Sequence, residues 1–147
     1  MSREVITCTP DMELARVGWL MWEGDCGSLP VIREGKIAGM ITDRDLCMAA
    51  AMKPRPCTEI RVAEAMSAGD VAVVRDDGSL EDALALMAER RVRRLPVLNA
   101  AGDLVGILSL NDAVRAAGKF GGEARVTCDQ ILAVLKAVAE PRMTATV

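Results

Sequence analysis

The hydrophobic positions of this chain change period several times, and they do so in the same order twice. Val71-Ala72-Val73-Val74 is a short β-branched run that predicts a strand. After the turn residues Asp76-Asp77-Gly78, apolar residues recur at Leu80, Ala83, Leu84 and Met87. Spacings of three and four predict a helix, opened by Ser79 and favoured at its N-terminus by Glu81 and Asp82. Arg90-Arg91-Val92-Arg93-Arg94 closes that helix, and Leu95-Pro96-Val97-Leu98 reads as a buried strand whose proline sits where no donor is needed. Asn99 to Asp103 carry hairpin chemistry, and Leu104 to Leu108 form the returning strand. Ser109 then opens a second helix carrying Asp112, Ala113, Val114 and Ala116-Ala117, with Gly118 as its stop.

The same β-α-β-β-α order is present upstream. It runs through strand Val5-Ile6-Thr7-Cys8, a turn at Thr9-Pro10-Asp11, helix Leu14 to Trp22, and strand Leu29-Pro30-Val31-Ile32. A turn at Arg33 to Lys36, strand Ile37 to Ile41, and helix Asp43 to Ala51 complete it, before the loop Lys53 to Cys57. Pro30 and Pro96 are 66 positions apart, and Asp45 and Asp112 are 67 apart. Two units are too few for a solenoid, so the pattern predicts one pseudo-symmetric α/β (α+β) domain with clefts between its halves. The expected boundaries are residues 1–56 for the first repeat, 57–118 for the second and 119–147 for an extension.

A connecting helix is predicted from Ile60 to Met66, leading into Ser67 and the second repeat. The first repeat starts on the equivalent pair Met1-Ser2 without such a leader, so either it lacks one or the chain begins downstream of its natural start. After Gly121-Gly122, Thr127 is placed to cap a last helix with Ile131, Leu132, Leu135 and Val138 on one face, ended by Pro141.

Composition narrows the chemistry. A chain of 147 residues with 51% hydrophobic content can bury a core without staples. Its aromatics are Trp19, Trp22 and Phe120, so the core is aliphatic, and the two tryptophans read as core or interface packing, or as a platform for an adenine. A net charge of −3 gives no basis for nucleic-acid binding. No apolar stretch approaches the roughly 20 residues of a membrane span, and no signal pattern opens the chain, so a cytoplasmic protein is expected. Cys8, Cys26, Cys47, Cys57 and Cys128 contain no C-x-x-C pair and read as small buried hydrophobes rather than as a redox pair or metal site. Histidine is absent, which removes Ser-His and Cys-His nucleophile pairs and histidine zinc sites. With no Gly-rich phosphate loop and no base for a carboxylate pair, the chain is not expected to be an enzyme.

The strongest chemical pattern is hydrophobic-Gly-hydrophobic-hydrophobic-[Thr/Ser]-x-x-Asp at each strand-to-helix junction, from Gly39 to Asp45 and from Gly106 to Asp112. The glycines remove a side chain where a backbone or a ligand approaches. A hydroxyl at the junction and a carboxylate one turn into the helix can share a polyol, the carboxylate accepting both hydrogens of a ribose diol. Thr42-x-x-Asp45 and Ser109-x-x-Asp112 also fit a helix capping box. Their recurrence at the same place in both repeats favours the binding reading.

These motifs, with Leu29-Pro30-Val31 and Leu95-Pro96-Val97 ahead of them, resemble the CBS domain family, and the chain from Val5 to Ala117 looks like a tandem CBS pair, or Bateman module. The resemblance implies two β-α-β-β-α repeats packed sheet to sheet, plus a C-terminal helix. It also implies a non-catalytic regulatory module that binds AMP, ADP or ATP between the repeats, with S-adenosylmethionine or NAD as secondary candidates and no required cofactor or metal. By the same resemblance Asp45 and Asp112 hold ribose, with Thr42 and Ser109 beside them and Arg44 near the first. Arg93 and Arg94 match basic residues that meet phosphate in the AMP-activated protein kinase γ subunit, although a solvated helix end accounts for them equally. Backbone at Cys26, Gly27, Ser28 and Val92 lines the adenine. At the positions of Arg93 and Arg94 the first repeat has Gly27 and Ser28, so the basic cluster is one-sided. Expected partners are a nucleotide ligand, a second copy of the chain and a regulated protein of unknown identity. The alternative is a ligand-free dimerisation scaffold in which the Thr/Ser-x-x-Asp motifs only cap helices.

Overall fold

Helix α1 (Leu14–Glu23) buries Leu14, Val17 and Met21, the stripe its sequence period requires, and stops at Gly24, whose amide donates to the Leu20 carbonyl while the Asp25 amide donates to that of Trp22. This computed structural model describes residues 1–2, 4–117 and 126–141. Strands β1 (Ser28–Arg33) and β2 (Lys36–Thr42) pair antiparallel, with Ser28 opposite Thr42. Their tight turn places Glu34 and Gly35 in the left-handed region, at φ 51° and 76°, as a two-residue hairpin needs. A register shift between Val31 and Ile32 admits Cys8, whose amide donates to the Pro30 carbonyl and whose carbonyl accepts from the Ile32 amide. Helix α2 (Asp43–Met52) follows directly, and β3 (Ser67–Ala68) adds to β2 antiparallel.

The second half supplies β4 (Val74–Arg75), α3 (Leu80–Arg90), β5 (Arg94–Leu98), β6 (Leu104–Ser109), α4 (Leu110–Ala117) and α5 (Cys128–Ala139). Two three-stranded sheets result, ordered β1-β2-β3 and β4-β5-β6, with β4 parallel to β5. The chain divides into two compact units. One comprises Glu4–Val71 and Ala101–Leu104, and the other Met1–Arg3, Ala72–Ala100 and Val105–Val147. The first core gathers Leu14, Val17, Met21, Leu29, Val31, Ile41, Ile60 and Val62, and the second gathers Leu84, Met87, Leu95, Leu110, Ala113, Ile131 and Val134.

Several expectations from the sequence are corrected. The leader predicted as a helix over Ile60–Met66 is a single 3-10 turn, Val62–Glu64, preceded by extended backbone at Arg61 and followed by a turn at Ala65. Its amides are taken by a neighbouring segment instead, Val62 donating to Met12 and Ala63 to Pro10. The strand expected at Val5–Cys8 reduces to a bridge between Cys8 and Val31, and that at Val71–Val74 shortens to β4. In α5 the buried face is Ile131 and Val134 with Val138 packed beside them, whereas Leu132 and Leu135 lie about a quarter-turn away and are exposed. The tryptophans are not core residues: Trp19 is 52% and Trp22 83% exposed. Of the cysteines only Cys8 is buried, and Cys47 and Cys128 are exposed. Burial pushes the Cys8 thiol up to about 11, which makes it inert. Gly118, expected as a helix stop, and Gly121-Gly122, ahead of the last helix, lie outside the described residues.

Candidate functional site

The two strand-to-helix junctions repeat one another hydrogen bond for hydrogen bond. In the first, the Cys26 amide donates to Met21 O at 3.0 Å and the Asp43 amide to Gly27 O at 3.2 Å. In the second, the Val92 amide donates to Met87 O at 3.0 Å and the Leu110 amide to Arg93 O at 2.9 Å. Each pair ties the loop before the first hairpin strand to the start of the helix after the second. Cys26, Gly27 and Ser28 are thereby held beside Thr42, and Val92, Arg93 and Arg94 beside Ser109.

Both capping boxes are formed. Asp45 Oδ2 accepts from the Thr42 amide at 2.9 Å and from its hydroxyl at 2.7 Å, while Thr42 Oγ1 accepts from the Asp45 amide at 3.2 Å. Asp112 Oδ2 accepts from the Ser109 amide at 2.8 Å and hydroxyl at 2.7 Å, and Ser109 Oγ accepts from the Asp112 amide at 3.2 Å. These bonds consume the hydroxyl hydrogens, so neither Thr42 nor Ser109 has a donor left for a ligand. What each box still offers is acceptors: the remaining hydroxyl lone pair and the second carboxylate oxygen, Oδ1. Two converging acceptors suit a group with two O–H donors, such as a sugar diol, and do not suit an anion.

Cationic residues flank the boxes. Arg44 and Arg93 are exposed and Arg94 is half-buried. Among the described residues none of the three is engaged in an ion pair. Burial works against ionisation of Asp112, but hydrogen bonds from the Ser109 hydroxyl and amide outweigh it, helped by the positive charges of the Met1 amino group and Arg115. The net result holds its carboxyl below the ordinary aspartate range.

Two features were not foreseen in the sequence. Ser28, expected to contribute backbone only, is 4% exposed, and its hydroxyl has no partner among the described residues. Such an orphaned buried hydroxyl is uncommon and marks a place where a polar group is wanted. The repeat-register comparison, which aligns Ser28 with the half-buried Arg94, was the available signal. The second feature is the chain start: Ser2 pairs antiparallel with Ile107, as Ser67 pairs with Met40, and brings the Met1 amino nitrogen to 3.7 Å from Asp112 Oδ1. The recurring Met-Ser pair thus marks the two-residue strand β3 in one unit and a single bridge at Ser2 in the other. It also explains the motif glycines, because a neighbouring backbone covers Gly39 and Gly106: a Cβ there would stand 2.6 Å from Ser67 O and 3.0 Å from Ser2 O.

Among the described residues no group of three or more Cys, Asp or Glu is placed to hold a metal, and no helix is long and apolar enough to cross a membrane. Comparison with known proteins matches residues 1–51 and 62–119 to the model of the CBS domain. CBS domain-containing protein YhcV of Bacillus subtilis is 34% identical over 116 residues, which is 76% of this chain and 78% of that protein. Inosine-5'-monophosphate dehydrogenase of Mycobacterium leprae is 31% identical over 116 residues, 78% of this chain but only 21% of the enzyme. The crystal structure of CBSX2 in complex with AMP superposes with a TM-score of 0.64 at 30% identity, covering 78% of this chain and 87% of that one.

Proposed function

The chain belongs to the CBS domain family, and from that premise we propose that it is a non-catalytic regulatory module that binds an adenosine nucleotide of the AMP, ADP or ATP class at its two strand-to-helix junctions. The observation that carries this reading is the recurrence of the two boxes, each with a second carboxylate oxygen outside the box to accept from a ribose diol, that of Asp112 lying 3.7 Å from the Met1 amino nitrogen. Asp45 and Asp112 take the sugar hydroxyls, with the lone pairs of Thr42 and Ser109 beside them. Arg93 and Arg94 meet phosphate in the second junction, and Arg44 does so in the first. The orphaned Ser28 hydroxyl supplies a donor near the first junction, where the backbone of Cys26 and Gly27 faces the base, and Val92 is its counterpart in the second. The AMP bound to CBSX2 supports the ligand class. The five free thiols suit a reducing cytoplasm, and we place the protein there as a homodimer acting on a separate regulated protein.

Regulation requires that nucleotide bind two states of the module unequally. Thermal melting with AMP, ADP, ATP and S-adenosylmethionine tests the first step. A ligand at a hundred times its dissociation constant adds about 2.7 kcal/mol of stability, a readily visible shift. A second reading, a ligand-free dimerisation scaffold, is favoured by the completeness of the capping boxes, whose hydroxyl donors are already used. That reading predicts an unchanged melting temperature with every nucleotide at millimolar concentration.

A further inference from the structure

The groove beside α1 and α2 in the first repeat has a counterpart beside α3 and α4 in the second. Among the described residues only the second is filled by another part of the chain. Asp25 and Arg91 fix the correspondence. Each follows its helix in the left-handed region, at φ 45° and 53°, and each precedes an amide that donates back to Met21 or Met87. In the second repeat α5 packs on both α3 and α4, and its Ile131 and Val134 share a core with Leu84, Met87, Leu110 and Ala113. An ion pair from Arg91 to Glu140, at 2.8 Å, fastens the end of that helix. Asp82, Ala85 and Glu89, on the far side of α3, stay exposed, so α5 fills the groove and not the whole outer surface.

In the first repeat the same positions line an open groove of about 390 Å³. Gly18 and Leu46 stand where the second repeat has Leu84 and Ala113, so large and small exchange places across an apolar floor that Met21 completes. Leu46 lies over Gly18, where a Cβ would meet its side chain at 3.2 Å. The rim differs in kind. Trp22 replaces Ala88 and adds an exposed indole wall, Asp43 replaces the buried Leu110, and Asp25 replaces Arg91. Neither aspartate has an ion-pair partner among the described residues. The charge that meets Glu140 in the second repeat is therefore reversed in the first. The α5 of a second copy would set Glu140 against Asp25, and like charges oppose that exchange.

We propose that this groove is the docking site for an amphipathic helix of another protein, seated on α1 and α2 as α5 is seated on α3 and α4. That helix carries apolar residues at the spacing of Ile131, Val134 and Val138, and a lysine or arginine where α5 has Glu140, to meet Asp25. The proposal rests on the reading that the module acts on a separate regulated protein, and it gives that protein a docking face and a recognition pattern.

A synthetic peptide of residues 127–140 tests it, carrying Glu140→Lys and held helical by a lactam between Asp129 and Ala133→Lys, two exposed positions. Binding is followed by tryptophan emission, because Trp22 walls the groove and the chain has two tryptophans, both on α1. Saturable binding with a blue shift is expected in the absence of nucleotide. The same peptide keeping Glu140 should bind at least about tenfold more weakly, and Asp25→Arg in the protein should reverse that order. Arg91 already holds the equivalent left-handed position, so the backbone accommodates Asp25→Arg. No binding of either peptide at millimolar concentration, or binding indifferent to Glu140→Lys and Asp25→Arg, overturns the proposal. So does a protein that sediments as a dimer and is dispersed by the peptide, because a second copy would then fill the groove. Nucleotide binding stands or falls separately, by melting without peptide.

Discussion

Gly39 in β2 and Ser67 in β3 approach so closely that a Cβ on Gly39 would lie 2.6 Å from the Ser67 carbonyl oxygen. The equivalent contact at Gly106 is softer, since the nearest atom is the sulfur near the end of the Met1 side chain at 2.8 Å and the Ser2 carbonyl stands at 3.0 Å. Gly39→Ala must therefore push a backbone strand aside, whereas Gly106→Ala can displace the end of a side chain. We expect Gly39→Ala to lower stability by about 1–3 kcal/mol and Gly106→Ala by less. Chemical denaturation of both variants checks the order, and equal losses would show that the two short strands do not differ as described.

Glu64 fixes the turn that leads into β3. Its carboxylate accepts from the Arg61 amide at 2.9 Å and pairs with Lys53 and Arg55. These interactions, the Arg61 bond foremost, lower its pKa from 4.5 to about 2. Because the folded value lies below the unfolded one, the ionised form favours the folded state. That contribution is complete above about pH 4.5 and disappears as pH falls toward 2. Titration of the Glu64 carboxyl by NMR should give a midpoint near 2, and Glu64→Gln should remove part of the acid sensitivity between those limits.

The capping and binding roles of Thr42 separate by substitution. Thr42→Ala deletes the N-cap of α2 and should cost about 1 kcal/mol, while Thr42→Ser keeps the cap and should be close to neutral. Denaturation midpoints report this without ligand. Both variants also bear on nucleotide binding, where Thr42→Ser should again retain most of the wild-type shift.

Ser28 gives a prediction of opposite sign. Its hydroxyl is buried without a partner, so Ser28→Ala should leave the ligand-free protein as stable as before or slightly more stable. The same change should diminish the stabilisation by AMP. A large loss of stability in the ligand-free variant would mean that the hydroxyl is satisfied in solution.

How much of this was legible in the sequence depended on whether a signal was local. The Thr-x-x-Asp and Ser-x-x-Asp junctions were legible because a capping box is written within four residues, and both helices start where it places them. The leader was misread because Val62-Ala63-Glu64-Ala65-Met66 is rich in helix-forming residues, while bonds from its first amides to Pro10 and Met12, some fifty residues away, accompany a single turn instead. Strand β3 and the Ser2–Ile107 bridge are too short to leave a period at all; only the repeated Met-Ser pair marked them. The exposure of Trp19 and Trp22 was invisible for a related reason. A helical stripe predicts which positions face inward, but whether an outer position is covered depends on a distant element, as α5 packing on α3 shows.

Isothermal titration calorimetry with AMP on the wild type, Asp45→Ala and Asp112→Ala tests the central claim most directly. The account predicts binding at two junctions of unequal affinity, because their flanking cations differ and the Met1 amino group already lies beside Asp112. Each substitution should abolish one binding event and leave the other, with the fold retained by circular dichroism. Absence of heat in the wild type at millimolar AMP, or binding unchanged in both variants, would contradict it.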